Sequence, residues 1–306
     1  MAFLSDSEVQ GLLVNADQVI DPHDIFPVDS GVVLRRHVGP IDTGDSLFPQ
    51  PFIKWFHQHV IQTLLNNSSK ELESLPVEER ILVLAGRAGQ GKSTLMRHVF
   101  LHIKRQWDEE NHRIQPNFGE DRQGTNLDDS FSEFYQKFVD RTHYLQARTV
   151  YSQPIIKGRG SHLVLFDGID EADTENLGFI HTFMKNHPHC VFLLSSRTRR
   201  QSSRLNPRHE EIINLDHFRG LCDEKKLRNK AAMLHPMDER EKKDMMHIME
   251  DHEPERDFSF LKTLVENNSQ SLKVPADFLL YRAKSPKTKS EYYLHHLRWL
   301  TDREDS

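Results

Sequence analysis

At 306 residues, 37% of them hydrophobic and 28% charged, the chain can bury a substantial core without covalent staples. Its 40 Lys+Arg against 46 Asp+Glu leave a net charge of -6, which excludes a surface built throughout for nucleic acid. Two cysteines, Cys190 and Cys222, exclude a disulfide framework, and neither a leader-like start nor an apolar run of about eighteen residues occurs, so a reduced, cytoplasmic compartment without membrane contact is expected.

In chain order, residues 1–50 are broken by Asp-Pro, Phe-Pro and Gly-Pro pairs and predict an irregular segment. Pro51 suits the first turn of a helix, along which Phe52, Phe56, Val60 and Leu64 share one face. Leu75 to Arg80 reads as a polar turn and Ile81 to Ala85 as a strand buried on both faces, because apolarity there is continuous. A helix over Thr94 to Trp107 follows a glycine-rich loop, with Leu95, Val99 and Ile103 on its buried face.

Further on, Ser130 and Glu133 have the spacing of a capping box that opens a helix carrying Phe131, Phe134, Tyr135 and Phe138. A second strand is expected near Thr149 to Tyr151, then the strand His162 to Asp167, a helix around Leu177 to Met184, the strand Val191 to Leu194 and a last strand at Ile212 to Leu215. Strands alternating with helices predict the α/β class, a three-layer fold with a parallel sheet over 51–217. Leu227 to Leu234, Lys242 to Met249, Phe258 to Val265 and Ala276 to Ala283 read as helices of a small all-helical domain over 218–306, extended by Tyr292 to Leu300. The charged run Asp238 to Asp244 reads as a solvated helix face.

The loop between the first parallel strand and its helix is Gly86-Arg87-Ala88-Gly89-Gln90-Gly91-Lys92-Ser93, followed by Thr94. Its spacing is that of the phosphate-binding loop of P-loop NTPases, in which glycines let successive backbone amides turn toward a polyphosphate at a helix N-terminus. Lys92 would reach the β and γ phosphates and the Ser93 hydroxyl would ligate Mg²⁺. A nucleoside di- or triphosphate with Mg²⁺ is therefore the expected ligand.

Asp167 ends an apolar strand and is the second candidate for holding Mg²⁺, since the carboxyl ends of parallel strands face the ligand crevice. Asp170 and Glu171, one short turn on, are candidates for orienting an attacking water. Arg197, after Ser195 and Ser196 at the end of another strand, is placed to sense a γ phosphate. Arg199, Arg200 and Arg204 make this stretch basic and keep a nucleic-acid partner open as an alternative, though no aromatic residues interleave with them. His187, His189 and Cys190 are spaced too tightly to close a tetrahedral metal site.

Together, Gly86 to Ser93, the string Asp167-Gly168-Ile169-Asp170-Glu171 and the strand ending in Ser195-Ser196-Arg197 resemble the NACHT-type members of the STAND class of P-loop NTPases over about Leu75 to Ala283. The resemblance implies ATP in preference to GTP, a slowly hydrolysing signalling and assembly switch, protein partners or self-association, and a place in innate defence. It also implies a proline near the adenine base, for which Pro275 is the matching residue. The resemblance extends to the nucleotide-binding and helical domains only, and no histidine of a winged helix is assigned. Two other readings stand beside it: an AAA-like, nucleic-acid-associated ATPase, and a nucleotide-binding scaffold subunit that does not hydrolyse.

Overall fold

The computed structural model describes residues 36–40, 50–87, 89–105, 127–150, 156, 160–201, 210–213, 215–218, 226–227, 230–252, 254–267, 272 and 278. They fall into two compact units, a larger one drawn from 36–87 and 92–235, and a smaller one comprising 89–91 and the residues from 236 on.

Among the described residues of the larger unit, eight strands make one sheet: β1 (His37–Pro40), β2 (Gln50–Pro51), β3 (Ile81–Gly86), β4 (Thr142–Gln146), β5 (His162–Asp167), β6 (Cys190–Gln201), β7 (Glu210–Ile213) and β8 (Ala231–Leu234). Their order is β2-β1-β8-β3-β6-β5-β4, with β7 pairing antiparallel onto the far end of β6. From β8 to β4 every neighbour is parallel, whereas β1 and β2 add antiparallel at the edge beyond β8.

Continuous apolarity in β3 and β5 has its cause in two covered faces, and every residue of both strands is buried. One face offers Ile81, Val83, Val164, Phe166, Phe192 and Leu194 to Ile180, Phe183 and Met184 of helix α6 (Thr174–Asn186). By the two-residue period of a strand, Leu82, Leu84, Leu163, Leu165 and Leu193 point the other way, and they too are buried. Helix α4 (Lys92–Arg105) runs along β3, β4, β5 and β6.

The predicted helix after Pro51 forms as α1 (Phe52–Phe56), one π turn (His57–Ile61) and α2 (Gln62–Asn66). Its Phe56 meets Phe134 of α5 (Leu127–Phe138) edge to face at 6.3 Å. Because α5 already begins at Leu127, Ser130 lies inside it and does not act as an N-cap. The capping box forms instead at Ser68 and Glu71, which open α3 (Ser69–Ser74): the Glu71 amide donates to Ser68 Oγ, and the Ser68 amide to Glu71 Oε2.

Three strand expectations change. The second parallel strand is Thr142–Gln146, and Ala147–Thr149 is a single 3₁₀ turn; Tyr151 lies outside the described residues. The strand expected at Ile212 to Leu215 lies earlier, as β7, an antiparallel partner of β6 that ends at Ile213, and Leu215 opens a 3₁₀ turn. The last parallel strand is β8, in a stretch that reads as helical because Leu227, Ala231 and Leu234 have helical spacing. Pairing with β3 on one side and β1 on the other satisfies its backbone and overrides that local pattern.

The smaller unit contains α7 (Glu239–His252) and α8 (Ser259–Glu266), packed on each other. Asp238 and Glu241 exchange backbone-to-carboxylate hydrogen bonds of 2.7 and 3.0 Å at the start of α7. Glu241 and Lys242 are buried, so the charged run there is not wholly a solvated face. Ala276 to Ala283, apart from Phe278, and Tyr292 to Leu300 lie outside the described residues.

Candidate functional site

Parallel strands bring their carboxyl ends to one edge of the sheet. β3 ends at Gly86, which pairs in register with Arg197 of β6, and β5 ends at Asp167. Strand β6 lies between β3 and β5, so the aspartate strand is the next-but-one neighbour of the loop strand and does not adjoin it directly. The inserted strand is the one that carries Ser195, Ser196 and Arg197.

Beyond Gly86, Gly89 and Gly91 take φ of 76° and 84°, a region that side chains other than glycine rarely enter. Gly86 itself is ordinary strand, so the turn is made by two of the three glycines. Gln90 is buried, Arg87 and Ser93 are exposed, Thr94 is half-buried, and Ala88 lies outside the described residues.

Lys92 opens α4 and is 8% exposed. Its ammonium donates to the carbonyls of Gly86 at 2.8 Å and Arg87 at 2.9 Å. Burial pushes its pKa down to about 8; the negative charge of Asp170 opposes the shift, Arg197 adds to it, and Asp167 and Glu171 oppose it more weakly. These four charged groups are thus the electrostatic surroundings of the lysine.

Asp167 is buried and accepts two hydroxyl hydrogen bonds, from Ser195 at 2.5 Å on Oδ1 and from Tyr144 at 2.8 Å on Oδ2. One hydroxyl donor on each oxygen fixes the orientation of the carboxyl group. Ser195 Oγ also accepts the Gly168 amide at 2.8 Å, which ties the turn after β5 to β6. Burial and the charge of Asp167 raise the pKa of Tyr144, so its phenol stays a donor.

Gly168 adopts φ 72°, ψ 50°, and this left-handed residue turns the chain into a 3₁₀ turn, Ile169–Glu171. The turn presents Asp170 and Glu171 to Arg197. The Arg197 amide donates to Asp170 Oδ1 at 2.9 Å, its Nε lies 3.2 Å from Asp170 Oδ2, and its other terminus pairs with Glu171.

The structure therefore brings Lys92, Asp167, Asp170, Glu171 and Arg197 together, with Ser93 on the first turn of α4. Pro275 lies outside the described residues. Two participants had weaker signals. Ser195 stood out only as a hydroxyl near a strand end, and Tyr144 had no signal because its strand was expected elsewhere. His187 and His189 pack ring to ring at 5.8 Å beside buried Cys190.

Compared with known families, residues 80–228 match the NACHT domain. No curated protein matches the chain. Among solved structures, domain III of the replication initiation protein DnaA from Thermotoga maritima is similar at 13% identity and a TM-score of 0.35, over 79% of this chain and 94% of that one. The matched stretch contains the glycine turn, the Asp167 to Glu171 string and Arg197. A mostly parallel sheet whose first parallel strand runs through that turn into α4 has the layout of a P-loop NTPase, and the stretch that matches the NACHT domain, residues 80–228, carries that strand, turn and helix.

Proposed function

We propose that this chain binds ATP and ADP with Mg²⁺ at the carboxyl ends of β3, β5 and β6 and hydrolyses ATP slowly, as a nucleotide-dependent signalling and assembly switch. The observation that supports this best is a buried ammonium gathered with three carboxylates and a guanidinium at one edge of the sheet. Packing alone gives no reason to collect charge there, and perturbed titratable groups cluster where chemistry is done.

In this reading the backbone of Gly86, Arg87, Ala88, Gly89, Gln90 and Gly91 would wrap the phosphates and Thr94 would continue the helix start, while Pro275, outside the described residues, is the proline that the family resemblance matches to the adenine. Lys92 exchanges the carbonyls of Gly86 and Arg87 for phosphate oxygens. Magnesium suits the donors present: the exposed Ser93 hydroxyl and the Asp167 carboxylate are hard oxygen ligands, and each Asp167 oxygen keeps a lone pair beyond its one protein hydrogen bond. When bound, the ion would neutralise charge on the β and γ phosphate oxygens. Glu171, with Asp170, orients the attacking water once Arg197 turns from them to the γ phosphate.

We read 51–217 as the nucleotide domain, with Ala231 to Leu234 completing its sheet, and the residues beyond as a helical domain that couples nucleotide state to self-association or to a protein partner. The setting we propose is cytoplasmic and defence-related, a reading that the family resemblance supports. Among the described residues no helix is long and apolar enough to cross a membrane.

Calorimetry with ATP, ADP and GTP in the presence of Mg²⁺ tests the proposal. Adenine nucleotides should bind, Lys92→Ala should abolish binding, and Glu171→Gln should keep ATP bound while stopping turnover. Failure of the intact chain to bind any nucleotide would overturn it. Binding with turnover at background in both the intact chain and Glu171→Gln would leave a scaffold that does not hydrolyse.

A further inference from the structure

Tyr144 is the third residue of β4 and pairs in register with Leu165 of β5. Its hydroxyl donates to Asp167 Oδ2 at 2.8 Å and receives the Nε–H of Arg97 at 3.3 Å. Arg97 belongs to α4, the helix that Lys92 opens, and Phe100 of the same helix packs against the Tyr144 ring with centroids 5.8 Å apart. Tyr144 thus touches α4 at two positions three residues apart, which lie on one face of a helix.

The strand order gives this contact its meaning. β5 lies between β4 and β6, so the carboxylate at its end can be approached from both flanks. Ser195 on β6 takes one oxygen and Tyr144 on β4 takes the other. A carboxylate gripped at both oxygens cannot rotate freely, and its remaining lone pairs keep a fixed direction. The ring of Tyr144 alone would satisfy the packing against Phe100, so the oxygen is what packing leaves unexplained.

We propose that Tyr144 is a positioning residue for the metal–nucleotide complex: with Ser195 it fixes the Asp167 carboxylate, and through Arg97 and Phe100 it couples that carboxylate to the helix that begins at Lys92. The inference rests on the nucleotide reading given above. It assigns Tyr144 no contact with the nucleotide; the residue acts through Asp167, as ligand-orienting partners do around bound metals.

The test compares the intact chain with Tyr144→Phe, which removes one oxygen and keeps the ring. ATP affinity is measured by calorimetry in excess chelator and over a Mg²⁺ titration. The expected result is unchanged affinity in chelator, within about twofold, and about a tenfold rise in the Mg²⁺ concentration that gives half of the metal-dependent gain, the usual cost of losing a ligand-orienting partner. A merely structural tyrosine would weaken binding equally with and without Mg²⁺ or leave both unchanged, and either outcome overturns the proposal.

Arg97→Gln provides a second route if Tyr144→Phe does not fold, because it leaves Asp167 and the tyrosine in place; a smaller rise in the same direction is expected, and no rise counts against the coupling. Asp167→Asn is the control, expected to lose the metal-dependent gain. If the intact chain shows no such gain, the metal–nucleotide reading falls and the role of Tyr144 with it. If the intact chain and Asp167→Asn behave as expected while Tyr144→Phe matches the intact chain, the Tyr144 proposal alone fails.

Discussion

Arg197 holds Asp170 twice, by its backbone amide at 2.9 Å on Oδ1 and by its side-chain Nε at 3.2 Å from Oδ2. The first contact belongs to the backbone and survives any rotation of the side chain. The second, with the pairing to Glu171, is lost when the guanidinium turns toward another anion. One residue can therefore anchor the acidic turn while its side chain remains exchangeable. Pairing of Arg197 with Gly86 in the sheet sets that side chain beside the end of the loop strand.

Arg197→Ala should separate function from stability. Its side chain is half exposed, so both ion pairs together contribute at most about 1 kcal/mol and the melting temperature should hardly move. ATP turnover should fall about 10²-fold, the usual effect of removing one donor from developing negative charge. Thermal melts and steady-state hydrolysis on the same preparation check both halves, and a variant with intact turnover removes Arg197 from the site.

Lys92 predicts a pH dependence of stability without nucleotide. Its pKa lies at about 8 in the folded chain, below its ordinary value of 10.5, because burial disfavours the charged form. Between these values the unfolded chain binds more protons, so stability should rise as pH climbs from about 8 to about 10.5. Urea midpoints across that window should show the rise, and Lys92→Met should flatten it while abolishing nucleotide binding.

At the opposite ends of the strands, His143 and His162 make a neutral pair with ring nitrogens 3.2 Å apart. Burial lowers both, to about 4 for His143, with Lys104 adding to the shift, and to about 3 for His162, with His143, His189, Arg141 and His187 adding. Each folded pKa lies below the unfolded value of 6.5, so their contribution is complete above that pH and is lost as pH falls toward 4 and 3. Urea midpoints at pH 7.5, 5.5 and 4.5 should decline steadily, and His143→Gln should reduce the slope.

Gly168 should resist substitution for a conformational reason. At φ 72°, an added Cβ would sit 3.4 Å from Glu171 Oε2, an ordinary contact, so the cost of Gly168→Ala is backbone strain of about 1–2 kcal/mol. Gly168→Asn should cost less, because asparagine tolerates the left-handed region better. Chemical denaturation of the two variants gives the ranking, and the reverse order would show that side-chain crowding decides.

The parts of the site carried by contiguous residues were legible in the sequence. Gly86 to Ser93 has a spacing with a mechanism, and β3 and β5 announce themselves as continuous apolar runs that only a sheet covered on both faces demands. Tyr144 was not legible, since Thr142–Gln146 mixes polar and apolar residues at the outer end of the parallel sheet and shows no strong period. Nor was β8, whose four residues pair with β1 and β3 from far away in the chain.

By itself the sequence determined the strand, turn and helix around Lys92, the carboxylates after β5 and the basic end of β6, because each depends on neighbours a few residues apart. Only the tertiary structure decided that β6 lies between β3 and β5, and that Tyr144 and Ser195 close on Asp167 from opposite flanks. Parallel strands are joined by long crossovers, so nothing local records which of them become neighbours. The residues that touch across a sheet are fixed when the layers pack and the register locks.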